Sequence, residues 1–264
     1  MPLQSHKRLE LKRWLGRVFG RERRERDIVL LYHSVAGGPL SISRARFVAQ
    51  MDWLKAHARV VCLDEMLTGV NNGGIRVVLS FDDGYETLHG VVREVLAERG
   101  LTAIAYVNSG LIGDIARNDS AESQGHWPNE RFLLWSETRT LAEAGWTIGG
   151  HGIEHIDLTA VAPADVLKQL TACREQIELK LGRECRHFAY TWGRWNACAK
   201  HLAVEAGYLS AMGGIHGAIE PNSDRYALPR IDIRAEYELD DFVAAVTGRW
   251  DFLAVRQRLV RFFR

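Results

Sequence analysis

The sequence predicts an α/β fold, a distorted (β/α) barrel of seven or eight strands built as a single domain. Three observations carry this. Short β-rich apolar runs alternate with helical patterns from residue 28 to residue 247. Several of the helical stretches close on a glycine, at Gly100, Gly145, Gly182 and Gly207. No shift in composition interrupts that alternation. An open doubly wound sheet is the other arrangement that such alternation allows. No Gly-x-Gly-x-x-Gly follows a strand and no Walker loop is present, so dinucleotide and P-loop functions lose their usual support.

The elements follow in order. Residues 28–32 read as a strand, and 44–58 as a helix with Phe47, Met51 and Leu54 on one face. Residues 60–63 read as a strand and 64–70 as a short helix. The run Asn71-Asn72-Gly73-Gly74 is a turn signal. Residues 75–81 form a β-rich strand, 85–99 a helix and 102–107 a strand. The polar stretch 110–130 is long for a connection, which marks a functional or mobile loop. Helices are expected over 135–144, 164–181, 197–206 and 239–247. Strands are expected over 146–149, 186–190, 208–212 and 228–233.

Hydrophobic residues make up 47% and charged residues 25%, the balance of a soluble globular chain rather than a disordered, collagen-like or coiled-coil one. A net charge of +1 argues against nucleic-acid binding. That charge is unevenly spread. Residues 1–26 hold nine Lys or Arg and three Glu, leaving −5 for the rest. The chain therefore divides into a basic amphipathic extension, 1–26, and the barrel, 27–264. Leu11, Trp14, Leu15, Val18 and Phe19 share one helical face, with Lys12, Arg13, Arg17 and Arg21 on others. Such a helix suits peripheral contact with an anionic membrane surface, and equally suits packing on its own domain. The tail around Leu259, Val260, Phe262 and Phe263 reads as a closing helix. Cys62, Cys173, Cys185 and Cys198 form no C-x-x-C pair and read as buried, reduced thiols. With no secretory apolar run and no spanning stretch, the expected location is cytoplasmic, peripheral on the inner membrane face if the helix binds there.

Two segments carry chemistry. Ser80-Phe81-Asp82-Asp83-Gly84 ends a strand, and two adjacent carboxylates there need a cation or donors. Neighbours on an extended chain point apart, so one suits a metal and the other a substrate. A capped Asp-Asp-Gly turn is the plain alternative. His151-Gly152-Ile153-Glu154-His155 follows another strand, and two histidines four apart reach one ion if the segment is helical. Both segments fall on the catalytic face of a barrel. One Asp and two His leave open positions on the ion, the mark of a catalytic rather than a structural centre.

These motifs resemble those of the polysaccharide deacetylases, the nodulation-type carbohydrate esterase family: Thr/Ser-Phe-Asp-Asp-Gly at 80–84 and His-x-x-x-His at 151–155. The run from Leu133-Leu134-Trp135 to Gly149-Gly150-His151 is similar to the family's approach to its second motif. Leu30-Leu31-Tyr32-His33-Ser34-Val35 resembles the opening of one branch, and Leu228-Pro229-Arg230-Ile231 its late strand. The resemblance spans roughly residues 28–235.

The resemblance implies metal-dependent removal of an acetyl group from an N-acetylhexosamine unit. Asp83, His151 and His155 would bind the metal, zinc first, with Co2+, Ni2+ or Fe2+ fitting the same donors. Asp82 would be the general base and Arg230 its orienting cation. A frequent C-terminal Leu-x-His motif is missing, so the general acid is assigned to His33, with His216 in reserve. The third motif departs from the family: His187-Phe188-Ala189-Tyr190-Thr191-Trp192-Gly193 has Thr191 where proline is common. Tyr190, Trp192, Trp135 and His216 are assigned to substrate binding, with Trp127 and Trp195 near the same loops. The substrate is an N-acetylated sugar or glycan, extending to a lipid-linked or lipopolysaccharide precursor if residues 1–26 touch a membrane. An O-acetyl esterase and a non-catalytic carbohydrate- or partner-binding barrel are the competing functions.

Overall fold

The structure is a computed structural model that describes residues 2–38, 41–113, 125–126, 130–254 and 257. Trp127, most of the 110–130 stretch and the tail from residue 258 lie outside the described residues. The strands are β1 (Arg26–Tyr32), β2 (Arg59–Val60), β3 (Ile75–Phe81), β4 (Ile104–Val107), β5 (Thr147–Gly150), β6 (His187–Ala189), β7 (Ser210–Met212) and β8 (Ile231–Asp232). The helices are α1 (Pro2–Phe19), α2 (Arg44–His57), α3 (Leu63–Thr68), α4 (Val91–Ala97), α5 (Trp135–Glu143), α6 (Pro163–Leu181), α7 (Ala197–Glu205) and α8 (Leu239–Val246).

The sheet order is β7-β6-β5-β4-β3-β1-β8, with β2 beside the start of β3, and every ladder is parallel. The segment before β8 curls the sheet towards closure. Leu228 exchanges hydrogen bonds with β7, donating to Ala211 at 3.0 Å and accepting from Gly213 at 2.8 Å. Three residues later Ile231 pairs with Leu30 of β1. One short segment thus touches both edges of the sheet. This divided pairing is why the strand expected over 228–233 shortens to two residues. The result is a distorted barrel of seven principal strands.

Strand alternation sets what lies inside. Ile28, Leu30 and Tyr32 of β1, with Val77, Leu79 and Phe81 of β3, face the helical layer and are buried. Val29, Val78, Ile104, Tyr106, Ala189, Met212 and Leu228 form a separate cluster that fills the barrel interior. Burial on both faces explains the unbroken apolar runs of these strands. Continuing the same period of two past the strand ends puts His33, Asp82, Asn108, His151 and Thr191 on the inward face at the carboxyl rim.

Three local readings need correction. The helix expected over 85–99 is a 3-10 turn at Glu86–Leu88 followed by α4, because Gly90 (φ −84°, ψ −106°) leaves the helical region between them. Cys62 is exposed and Cys198 partly so, while Cys173 and Cys185 are buried as expected; all four are free thiols. Helix α1 docks on the barrel, but not by its apolar stripe. Leu9 is buried, Lys12 donates to the Tyr237 hydroxyl at 3.0 Å, and Arg13 reaches both oxygens of Asp241 at 2.8 and 2.7 Å. Gly16 lies flat against the Trp250 indole. Leu11, Trp14, Val18 and Phe19 remain exposed. Among the described residues, no helix is long and apolar enough to cross a membrane.

Candidate active site

The parallel register sets the first half of the site. Tyr32 pairs with Phe81, so the residues after them, His33 and Asp82, leave neighbouring strands side by side. The Asp82 amide donates to the Tyr32 carbonyl at 3.0 Å, which carries the pairing one step past β3. Asp82 is 3% exposed, over the interior fill of the barrel. Arg230 donates to its two oxygens at 2.7 and 2.8 Å and to the Gly213 carbonyl at 3.2 Å. The guanidinium also lies 5.8 Å from the Tyr106 ring centroid. Burial pushes the Asp82 carboxyl up. Arg230, His151 and His33 more than reverse that, and it settles below the usual carboxylate range.

Asp83 is not extended. It takes φ +70° and Gly84 takes φ +73°, two left-handed residues in succession. Asp tolerates this conformation better than most side chains, and the turn separates its carboxylate from that of Asp82. Asp83 is 4% exposed. Burial raises its carboxyl, and His151, His33 and His155 together hold it far below the ordinary value. Those interactions place His33 electrostatically within reach of both carboxylates.

The second motif is not helical. Gly152 at φ +88° turns the chain, and a side chain there would press on the Glu154 carbonyl and on Gln169. The Gln169 amide oxygen accepts from Ile153 at 2.8 Å and from Glu154 at 3.1 Å, pinning the loop between the two histidines. The His151 backbone accepts from Asn108 at 2.6 Å and donates to Val107 at 2.9 Å. The His151 ring donates from Nδ1 to the Ala189 carbonyl at 2.7 Å. That bond fixes the tautomer and turns the Nε2 lone pair towards Asp83. The Thr191 hydroxyl donates to the Ile156 carbonyl, one residue past His155. The departure from the family's proline is therefore a clamp on the histidine loop.

Asp83 Oδ1 is buried without a hydrogen bond. Its neighbours are His151 Nε2 at 3.5 Å and His155 Nε2 at 3.6 Å. These spacings are too long for good hydrogen bonds. They match donors held about 2.1 Å from one shared ion, which in a tetrahedral arrangement stand about 3.4 Å apart. Asp83, His151 and His155 are the group of buried donors able to hold a metal among the described residues.

Four residues assigned to substrate or acid roles are distributed differently. Trp192 is 49% exposed, with its ring 4.8 Å from that of His155, and so lines the opening over the donors. Tyr190 is instead fully buried against Phe188, with its hydroxyl on the Tyr226 carbonyl at 3.1 Å, so it has no face left for a ligand. Trp135 is 3% exposed in the helical layer, with the Lys180 ammonium 5.9 Å above its ring. His216 is buried beside Asp251 at 3.9 Å, the acid that pairs with Arg26 at the opposite end of β1 from the carboxylates. The chain from Gly213 to Ile219 runs down the barrel to meet Asp27, which carries His216 away from the rim. Trp195 packs against Gly213 and under Lys200.

The sequence model for the family described as polysaccharide deacetylase matches residues 69–211, more than half of the chain. The chain belongs to the polysaccharide deacetylase family. The match covers both motifs, the Asp82-Asp83 turn and the His151–His155 loop. Over 211 residues the chain is 25% identical to YxkH of Bacillus subtilis, covering 78% of this chain and 70% of that protein. It is 23% identical over 224 residues to a poly-β-1,6-N-acetyl-D-glucosamine N-deacetylase of Staphylococcus aureus, covering 80% and 72%. In fold it resembles IcaB of Ammonifex degensii, with a TM-score of 0.72 at 20% identity, covering 87% and 98% of the two chains. As a polysaccharide deacetylase, the protein is a hydrolase of carbohydrate substrates.

Proposed function

We propose that this deacetylase is metal-dependent and hydrolyses the acetamide of an N-acetylhexosamine unit within a glycan. The observation that carries the metal is the unpartnered Asp83 Oδ1, faced by two imidazole nitrogens at 3.5 and 3.6 Å. Asp83, His151 and His155 would hold the ion, which when bound lowers the pKa of a coordinated water and shares the charge developing on the acetyl oxygen. Zinc, Co2+, Ni2+ and Fe2+ all suit these donors.

The chain's own groups complete the reaction. Asp82 takes the proton from the attacking water, and Arg230 keeps it ionised and aimed. An amine leaves poorly as an anion, so a proton must reach the departing nitrogen. His33, beside Asp82 at the same rim, supplies it. Trp192 presents an open aromatic face to a sugar ring. The relative from Staphylococcus aureus supports an N-acetylglucosamine polymer as the substrate class.

The exposed stripe of α1 supports a location. Leu11 (56%), Trp14 (54%), Val18 (53%) and Phe19 (66%) face outwards in a segment whose net charge is +6. The helix is already docked through its other face, so this stripe is free to enter an anionic membrane interface. A lipid-linked glycan intermediate on that membrane then becomes the favoured substrate.

The test is acetate release from N-acetylglucosamine oligomers by the wild-type chain and by His33→Ala. The expected result is release by the wild type and at least about a hundredfold loss in the variant. Release from O-acetylated sugar alone, unaffected by His33→Ala, would make the protein an O-acetyl esterase instead. No turnover of either substrate by the metal-loaded chain would leave a binding barrel.

A further inference from the structure

His33 stands at the rim with an anchored residue on each side. Continuing the period of two past β1 points His33 inwards, and Tyr32 and Ser34 away from the interior. Tyr32 stacks on Phe81 at 5.3 Å between ring centroids, and its hydroxyl donates to Gln50 at 2.8 Å. Phe81 immediately precedes Asp82. Ser34 is 2% exposed, and its hydroxyl forms a hydrogen bond of 3.1 Å with the hydroxyl of Thr87. The Val35 amide donates to the same Thr87 oxygen at 3.4 Å. Thr87 belongs to the 3-10 turn Glu86–Leu88, which follows the Asp83-Gly84 turn. That 3-10 turn is itself fixed. Leu88 is fully buried with its amide on the Tyr85 carbonyl at 3.1 Å, and the Glu86 amide donates to Arg131 at 2.8 Å. One continuous segment, 81–87, therefore holds both flanks of His33 and carries both carboxylates.

We propose that Thr87 is a positioning residue for His33, setting the imidazole against the departing nitrogen of the substrate. The inference rests on the reading of His33 as the proton donor. Thr87 acts through Ser34 and Val35, not on the substrate. In amide hydrolysis the carbon–nitrogen bond breaks, its electron pair goes to nitrogen, and that nitrogen takes the His33 proton. The transfer needs a donor within hydrogen-bond reach, so a small displacement of the His33 backbone costs rate. The Ser34–Thr87 bond joins parts of the chain 53 residues apart and fixes that backbone relative to Asp82. Without the Thr87 hydroxyl, Ser34 loses its tie to the carboxylate turn. An aryl acetate makes no such demand on His33, because its phenoxide leaves without a proton.

The experiment measures kcat and KM on an N-acetylglucosamine oligomer and on para-nitrophenyl acetate, with bound metal determined in parallel. The proteins are the full-length metal-loaded wild type, Thr87→Val, Thr87→Ser, Ser34→Ala and His33→Ala. Thr87→Val keeps the shape and removes the hydroxyl. The expected result is a loss of about 10–100-fold in its kcat on the oligomer, with KM, metal content and aryl acetate hydrolysis unchanged. Thr87→Ser should recover the wild-type rate. Ser34→Ala should repeat the selective loss, and decides the matter if Thr87→Val does not fold. Equal losses on both substrates, loss of metal, or no loss on the oligomer would overturn the inference and leave Thr87 a stabilising contact, with the function proposed above intact. Unchanged oligomer hydrolysis in His33→Ala would overturn the reading of His33 as the acid, and this inference with it.

Discussion

Arg230 grips Asp82 through both of its terminal guanidinium nitrogens, at 2.7 and 2.8 Å, with both residues almost wholly buried. Such a pair contributes little net stability over an apolar replacement, but breaking it leaves a buried charge alone. Arg230→Met should therefore lose about 3–5 kcal/mol in urea denaturation at neutral pH. The sign with pH follows from the lowered carboxyl. In the wild type its contribution is present above the ordinary carboxyl pKa of about 3.9 and disappears as pH falls through the lower folded value. Without Arg230 the buried carboxyl loses the largest of the interactions that lower it and moves up from its wild-type position. The acid limb of kcat/KM should then shift to higher pH.

Asp82→Asn keeps the shape and removes the carboxylate proposed as the base. Acetate release should fall by about 10²–10⁴-fold with metal content unchanged, measured by single-turnover assay and metal analysis. Loss of the metal in this variant would reassign Asp82 as a ligand.

Thr191 supplies a hydroxyl to the Ile156 carbonyl where the family commonly has proline. Thr191→Val keeps the size and orphans that carbonyl, so a loss of about 1–3 kcal/mol is expected in urea denaturation. Because the bond restrains the chain next to His155, metal affinity should fall as well. Thr191→Ser should restore both. Equal metal affinity in all three proteins would limit the hydroxyl to a stability role.

Much of this was legible in the sequence because strand alternation and strand ends are local signals. The period of two through Val78, Ser80 and Asp82 both buries the strand and delivers the carboxylate to the rim. Tyr190 and Trp135 were misread because an aromatic in a motif looks alike whether it faces a ligand or the core. His216 was misread because a glycine-rich loop has no fixed direction, and this one descends to Asp27. The stripe of α1 was seen, but which face docks depended on Asp241, Tyr237 and Trp250, more than 200 residues away.

The misplaced His216 has a consequence of its own. Burial, with Arg26 and Lys12, outweighs Asp251 and lowers its pKa to about 4. It is thus neutral in the folded protein. A histidine depressed this way gives stability that is complete above about 6.5 and is lost as pH falls towards 4, by up to about 3 kcal/mol. His216→Gln should flatten the stability–pH curve between pH 4 and 6.5 without changing acetate release at pH 7.5. An unchanged curve would show that other groups set it.

The outward face of α1 is open to direct test. The wild type should co-sediment with vesicles containing phosphatidylglycerol, less so at high salt, and not with neutral vesicles. Trp14→Glu combined with Val18→Glu should abolish sedimentation while leaving acetate release from soluble oligomers unchanged. Failure of the wild type to sediment with anionic vesicles would remove the membrane from the account.

The claim on which the rest depends is that Asp83, His151 and His155 hold a metal required for hydrolysis. The most direct measurement is acetate release from an N-acetylglucosamine oligomer by one preparation as purified, after chelation, and after stepwise addition of a divalent ion. Activity should vanish on chelation and return in proportion to bound metal, reaching its plateau at one equivalent. It should not return in His151→Ala or His155→Ala. Full activity in chain stripped of metal would contradict the account.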